Sequence, residues 1–193
     1  MADPGTIALV FLAAGRGLRL GGSKLALELS GQPLALHAAR TFASIPFRAH
    51  IAICSRLTPP LSPLGYKELQ LFPEGAPLSR SIALGVAAIK CLKADAVMIA
   101  LADMPFVPIG HLEAMLAAFD GDKLATLAAH PQPPALFGER HFDALSCLRG
   151  DRGASHLLRT APGIALSPDL ARDVDTPDDL DAVRRHQSRH FPD

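Results

Sequence analysis

The segment that most restricts what this chain can fold into is Thr6–Leu12 (TIALVFL), an unbroken apolar run followed at once by AAGRGLRLGGSK, residues 13–24. An apolar run of strand length with no polar alternation describes a strand covered on both faces, the situation of a central strand in a mainly parallel sheet. Comparable runs recur at His50–Cys54 and Ala96–Leu101, while Leu34–Phe42, Leu78–Lys90, Ile109–Phe119 and Asp178–His186 carry apolar residues at helical spacing. Strands alternating with helices predict an α/β fold, its mainly parallel central sheet flanked by helices on both faces. Thr126–Ala129, Ala135–Phe137 and Ile164–Leu166 read as further, shorter strands, and Thr58–Gly65 (TPPLSPLG) as a surface loop. The stripe from Leu112 to Phe119, and Cys147 on the Leu145 and Leu148 face, read as core.

Length and charge narrow the function. The 193 residues suit a single domain spanning 1–193, able to bury roughly 70% of the surface of its unfolded chain. Nineteen Lys and Arg balance nineteen Asp and Glu, so no whole-molecule field favours nucleic acid or an anionic membrane. Within that balance, residues 1–67 carry seven bases against Asp3 and Glu28, which suits a local site for a small anion. Cys54, Cys91 and Cys147 form no CxxC pair, so neither a disulfide framework nor a zinc ribbon is expected, and a reducing cytoplasm is the default. Ile7–Ala14 is too short to span a bilayer and lacks a basic leader, which predicts no signal peptide and no membrane segment.

Ligands of an open α/β sheet collect beyond the carboxyl ends of its strands. After the first strand, four glycines and two alanines let backbone N–H groups approach a ligand, and Arg16, Arg19 and Lys24 add positive charge, the combination a polyphosphate needs. A Walker A loop is excluded because Ser23-Lys24 is in the wrong order, and a dinucleotide fingerprint because Leu20 stands where its third glycine belongs. The third strand ends in Leu101-Ala102-Asp103-Met104-Pro105, which places a carboxylate where a Mg²⁺ ligand would face bound phosphates. Near the C-terminus, Thr176-Pro177-Asp178-Asp179 is a helix start with acids in its first turn, which leaves Asp173 and Asp175 ahead of it for chemistry. His186 and His190 stand one helical turn apart in a polar tail and read as a frayed end. Asp151, Ser155 and His156 lack the nucleophile elbow of a hydrolase.

LAAGRGLRLGGSK resembles the signature of the nucleotidyltransferases with a Rossmann-like fold, among them the molybdopterin guanylyl- and cytidylyltransferases, the MobA-like NTP transferases. LADMPFV is similar to the metal-binding segment of the molybdopterin branch, and Gly75 with Ser81-Ile82-Ala83-Leu84-Gly85 to the segment framing base and ribose. PALFGERHFDALSCLRGDRGASHLL resembles the molybdenum cofactor cytidylyltransferases, and DVDTPDDL closes the set, in order along nearly the whole chain.

The resemblance implies that CMP passes from CTP to molybdopterin, or its molybdenum-loaded form, with Mg²⁺ and release of pyrophosphate. It implies that Leu12, Ala13, Ala14, Gly15 and Gly17 cradle the phosphates and that Arg19 and Lys24 offset transition-state charge. Asp103 and Asp175 would hold the metal; Gly75 and Ser81 would line the base pocket; Pro134, Asp151 and Arg152 would fall on the pterin side. GTP as donor, or a sugar or polyol phosphate as acceptor, keeps the same chemistry. A noncatalytic chaperone handing the cofactor to a molybdoenzyme is the alternative of another class, and Lys24, Asp103 and Asp175 argue against it because a carrier needs no pyrophosphate-expelling site. A molybdoenzyme or its chaperone is the expected protein partner.

Overall fold

A computed structural model describes residues 2–15, 24–151 and 153–190, apart from the side chains of 184 and 186–190. Its strands are β1 (Ile7–Ala13), β2 (Glu28–Leu29), β3 (Gln32–Pro33), β4 (Ala49–Cys54), β5 (Lys67–Gln70), β6 (Ala96–Leu101), β7 (Lys123–Leu127), β8 (Pro131–Gly138) and β9 (Gly163–Ala165). Its helices are α1 (Leu34–Ala43), α2 (Leu78–Cys91), α3 (Ile109–Ala118), α4 (Phe142–Ser146), α5 (Ser155–Leu158) and α6 (Pro177–His190).

Seven strands form one sheet in the order β5-β4-β1-β6-β8-β7-β9, and β2 and β3 make a separate small hairpin. β1 lies between β4 and β6, parallel to both, with Leu12 opposite Ile53 on one side and Leu101 on the other. Every residue of β1 is buried, and the strand's period of two sorts them cleanly. Ile7, Leu9, Phe11 and Ala13 join the core under α1 and α3, with Phe42, Tyr66, Leu112 and Met115. Ala8, Val10 and Leu12 join the core under α2 and α4, with Ile82, Val86, Ile89 and Leu145. This two-sided burial is the physical reason the segment tolerates no polar residue. Gly85 sits where α2 crosses β1, and a Cβ there would stand 2.4 Å from Val10 Cγ1; only glycine lets the helix come so near.

The chain adds β4 and β5 on one side of β1 and then crosses to β6 on the other. The carboxyl ends of β1 and β6 therefore border the crevice where the direction of winding changes. Beyond β6 the sheet becomes mixed, because β8 runs antiparallel to both β6 and β7.

Several elements differ from the sequence expectations. β8 is longer than Ala135–Phe137 and contains Pro131, Pro133 and Pro134. The pairing register with β7 jumps from Ala135 to Gln132 between Ala125 and Thr126, leaving Pro133 and Pro134 in the irregular stretch where no ladder N–H is required. β5, the β2–β3 hairpin, α4 and α5 are too short to show a period. Cys147 is exposed, not core: it terminates α4, whose buried face is Phe142 and Leu145. The Leu112–Phe119 stripe is buried through Leu112, Met115, Leu116 and Phe119. Among the described residues no helix is long and apolar enough to cross a membrane.

Candidate functional site

β1 delivers Leu12 and Ala13 to the crevice, followed by buried Ala14 and exposed Gly15. Gly17, Arg19 and Arg152 lie outside the described residues. The chain re-enters at Lys24, the first residue of a 3-10 turn, whose side chain turns back beneath Gly15. From the other side of the crevice, β6 ends at Leu101 and Ala102 donates its N–H to Leu12 O at 3.1 Å, so Asp103 emerges beside the end of β1.

The acidic segment ahead of α6 reaches the same point through backbone contact. Val174 N donates to Asp103 O at 3.0 Å, and Val174 is held by the small core of Leu29, Leu34, Leu180 and Val183. That anchoring turns Asp173 and Asp175 toward Asp103. Asp175 is further fixed from behind: Asp179 Oδ2 accepts from Asp175 N at 3.2 Å, Thr176 N at 2.9 Å and Thr176 Oγ1 at 2.7 Å, while Asp179 N donates back to Thr176 Oγ1 at 3.2 Å. This is a capping box with Asp in place of the usual Glu, and Asp179 is structural as its position predicted. Burial opposes the Asp179 charge, but the hydrogen bonds from Thr176 and Asp175 outweigh it and hold the carboxyl below its ordinary range.

These paths meet at one cation. Lys24 Nζ donates to Asp103 Oδ2 at 2.6 Å and to Asp175 Oδ1 at 2.5 Å. Burial alone would lower the Lys24 pKa, yet the charges and hydrogen bonds of Asp103 and Asp175 prevail and raise it. Asp173 stands beside the same pair, exposed at its outer edge, and its carboxyl is pushed up by desolvation first and then by the charges of Asp103 and Asp175. The other oxygen of Asp103, Oδ1, is buried with no hydrogen-bond partner among the described residues. An unsatisfied buried carboxylate oxygen beside a second carboxylate fits a hard cation such as Mg²⁺. No group of three or more His, Cys, Asp or Glu stands ready to hold a metal among the described residues; two carboxylates with substrate phosphates is nonetheless the way Mg²⁺ is commonly bound.

Two cavities open here. The larger, about 650 Å³, is lined by Gly15, Lys24, Gly75, Ser81, Asp103 and Asp175, with Ala76 and Pro77 among the rest. The smaller, about 410 Å³, is walled mostly by apolar side chains such as Ile82, Met104, Phe137 and Leu158, with Gln132, Arg172 and Asp173 as polar points. Leu12, Leu78 and Leu101 belong to both and form the divide.

The structure brings together Leu12, Ala14, Gly15, Lys24, Gly75, Ser81, Asp103 and Asp175 around the first cavity. Asp151, expected on the pterin side, borders this same cavity, and its Oδ1 accepts from Leu78 N at 3.1 Å, capping the α2 N-terminus that Pro77 leaves without a side-chain cap. Pro134 is buried within β8, its carbonyl accepting from Thr126 Oγ1 at 2.9 Å, so the second cavity is lined by Pro131, Gln132 and Pro133 in its stead. The capping role of Asp151 was not legible, because its partner is 73 positions away. Gln132, whose Nε2 donates to Ala171 O at 2.8 Å, was missed because a lone Gln among prolines carries no pattern.

Residues 9–167 match the MobA-like NTP transferase domain. The chain belongs to that family. It is 30% identical to the purine catabolism protein PucB of Bacillus subtilis over 200 residues, covering 93% of this chain and 96% of PucB. In three dimensions it is similar to Rv0371c of Mycobacterium tuberculosis (TM-score 0.78, 21% identity, 93% and 98% of the two chains), a protein also solved in complex with manganese (TM-score 0.76, 20% identity, 93% and 98%). It is similar too to the molybdopterin-guanine dinucleotide biosynthesis protein A of Archaeoglobus fulgidus (TM-score 0.67, 21% identity, 94% and 99%). These likenesses establish the Rossmann-like nucleotidyltransferase fold.

Proposed function

We propose that the chain transfers CMP from CTP to a phosphate of a molybdopterin-type acceptor, with Mg²⁺ and release of pyrophosphate. The observation that carries this reading is the pair of cavities divided by Leu12, Leu78 and Leu101, one polar and centred on Lys24, Asp103 and Asp175, the other apolar enough for a flat ring system. Ile82, Ile99, Phe137 and Leu158 suit the face of a ring system, and His130, Gln132, Ser155, Arg172 and Asp173 offer polar groups for its edges.

In this reading a phosphate oxygen of the acceptor forms a bond to the α-phosphorus of CTP as the bond to the bridging oxygen breaks in line, and pyrophosphate leaves with that electron pair. No side chain is the nucleophile, so the protein's part is placement and charge. The backbone of Leu12, Ala13, Ala14, Gly15 and Gly17 receives the phosphates, with Gly75 and Ser81 beside base and ribose. Arg19 and Lys24 offset the charge that grows on the α-phosphate and pyrophosphate. Asp103 and Asp175 are the residues that would hold Mg²⁺, which when bound neutralises triphosphate charge. Arg152 and Arg172 stand as the cations for the acceptor's phosphate.

Calorimetry with CTP, GTP, ATP and UTP, with and without Mg²⁺, tests the donor half without any pterin. Metal-dependent selection of CTP is expected. Preference for GTP would keep the chemistry and change the product, whereas no nucleotide binding would return the carrier reading. Pyrophosphate release on adding molybdopterin, absent with sugar phosphates, tests the acceptor half.

A further inference from the structure

Lys24 is only 6% exposed, a setting a lysine seldom occupies without anionic partners. Its ammonium rests against Asp103 Oδ2 and Asp175 Oδ1 at 2.6 and 2.5 Å, the two carboxylates that the proposed function gives to a divalent cation. An ammonium between the two carboxylates takes a lone pair of each of these oxygens and sets its charge where a second cation is repelled, so the two cations compete for the pair although Oδ1 of Asp103 is left open. A metal arriving alone must displace a buried ammonium from both carboxylates, and the other carboxylate lining the cavity among the described residues, Asp151, already accepts from Leu78 N, so the displacement is costly. A triphosphate in the larger cavity changes the balance, because it supplies anionic oxygens to Lys24 on the Gly15 side, where the side chain already lies. The ammonium then exchanges carboxylate for phosphate at little loss, and Asp103 Oδ2 and Asp175 Oδ1 lose its charge, with the buried Oδ1 of Asp103 beside them.

From this geometry we infer that Lys24 is a resident counter-ion of the Asp103–Asp175 pair and holds the metal site closed until a triphosphate draws it away. Metal and nucleotide are therefore taken up together. The inference rests on the reading of Asp103 and Asp175 as metal ligands, but not on the identity of the base or of the acceptor.

The test titrates Mn²⁺ alone into the nucleotide-free full chain, following free Mn²⁺ by electron paramagnetic resonance. Wild type, Lys24→Met and Arg172→Gln are compared, with thermal melts confirming that each variant is folded. Arg172 lies near the site but ion-pairs with Asp169 and Asp179, not with the two ligands, so it controls for loss of one nearby positive charge. Lys24→Met is expected to bind Mn²⁺ at least about tenfold more tightly than wild type, and Arg172→Gln to change affinity by no more than about threefold. Lys24→Met binding no more tightly than wild type, including no binding by either, overturns the inference. So does an equal gain in Arg172→Gln, which would reduce the effect to general repulsion.

A second measurement needs no variant. Lys24 in the wild-type chain should acylate slowly with a soluble acetylating reagent, read by peptide mass spectrometry, and faster at Mn²⁺ concentrations that fill the site. An unchanged rate at saturating Mn²⁺ also overturns it. Neither readout uses turnover, so a chain that passes both yet transfers no nucleotide would refute the proposed function while leaving the role of Lys24 intact.

Discussion

Replacing Asp103 with Asn removes one negative charge while keeping shape, and the cost is set by how well the remaining groups can still satisfy Lys24. Lys24 Nζ sits 2.6 Å from the lost oxygen, with side-chain exposures of 7% for Lys24 and 17% for Asp103, so this ion pair is largely shielded from water. Removing one partner of a buried pair commonly costs about 3–5 kcal/mol; here Asp175 remains on Lys24 at 2.5 Å and is itself 46% exposed, which lowers the expectation to about 1–3 kcal/mol. Relief of the repulsion that raises the Asp173 pKa acts in the same, softening direction. For a chain of this size the loss corresponds to a fall in Tm of about 3–9 °C, measured by differential scanning calorimetry. On the proposed function, pyrophosphate release should drop by about 10²-fold or more, since the variant loses a charge that would hold the metal at the phosphates. Turnover near the wild-type rate would remove Asp103 from the metal site. An unchanged Tm would show that the Lys24 pair contributes nothing net to stability.

Other changes probe the frame around the site. Gly85→Ala places a methyl 2.4 Å from Val10 Cγ1 and should destabilise by about 1–3 kcal/mol in chemical denaturation, with nucleotide affinity changed only if α2 shifts on β1. Asp179→Ala deletes the acceptor of three hydrogen bonds from Asp175 and Thr176; a loss of about 1 kcal/mol is expected, together with weaker metal-dependent nucleotide binding in calorimetry because Asp175 is no longer held. His111, buried against Thr126 at 2.8 Å, and His37 both have pKa values lowered chiefly by burial. The unfolded chain therefore takes up protons first: their contribution is fully present above about pH 6.5 and is lost as pH falls toward the depressed folded values. Tm should decline from about pH 7.5 to about pH 5.5, and His111→Gln should flatten part of that decline; an identical slope in the variant would exclude His111 as a source.

The parts of this protein that could be read directly are those whose physics is local. β1, β6 and β4 from Ile51 onward announce themselves because burial on both faces keeps polar residues out of those stretches. α1, α2 and α3 do so because their apolar residues recur at the helical period. Lys24, Asp103 and Asp175 stood out because glycines, a base and an acid follow apolar strands or precede a helix cap, where an α/β sheet binds its ligands. What the chain order could not disclose is how these residues meet. Lys24 lies 79 positions from Asp103 and 151 from Asp175, and they are joined only because β6 lands beside β1 and Val174 hydrogen-bonds to Asp103. The same holds for Asp151, a cap for a helix that begins 73 residues earlier, and for Pro134, turned inward by a register shift that depends on β7. Local pattern thus determined the elements and the chemical types at their ends. Tertiary packing alone decided that one buried ammonium would stand between two carboxylates, because contacts between distant segments are set by which faces the core can cover together and not by neighbours in the chain.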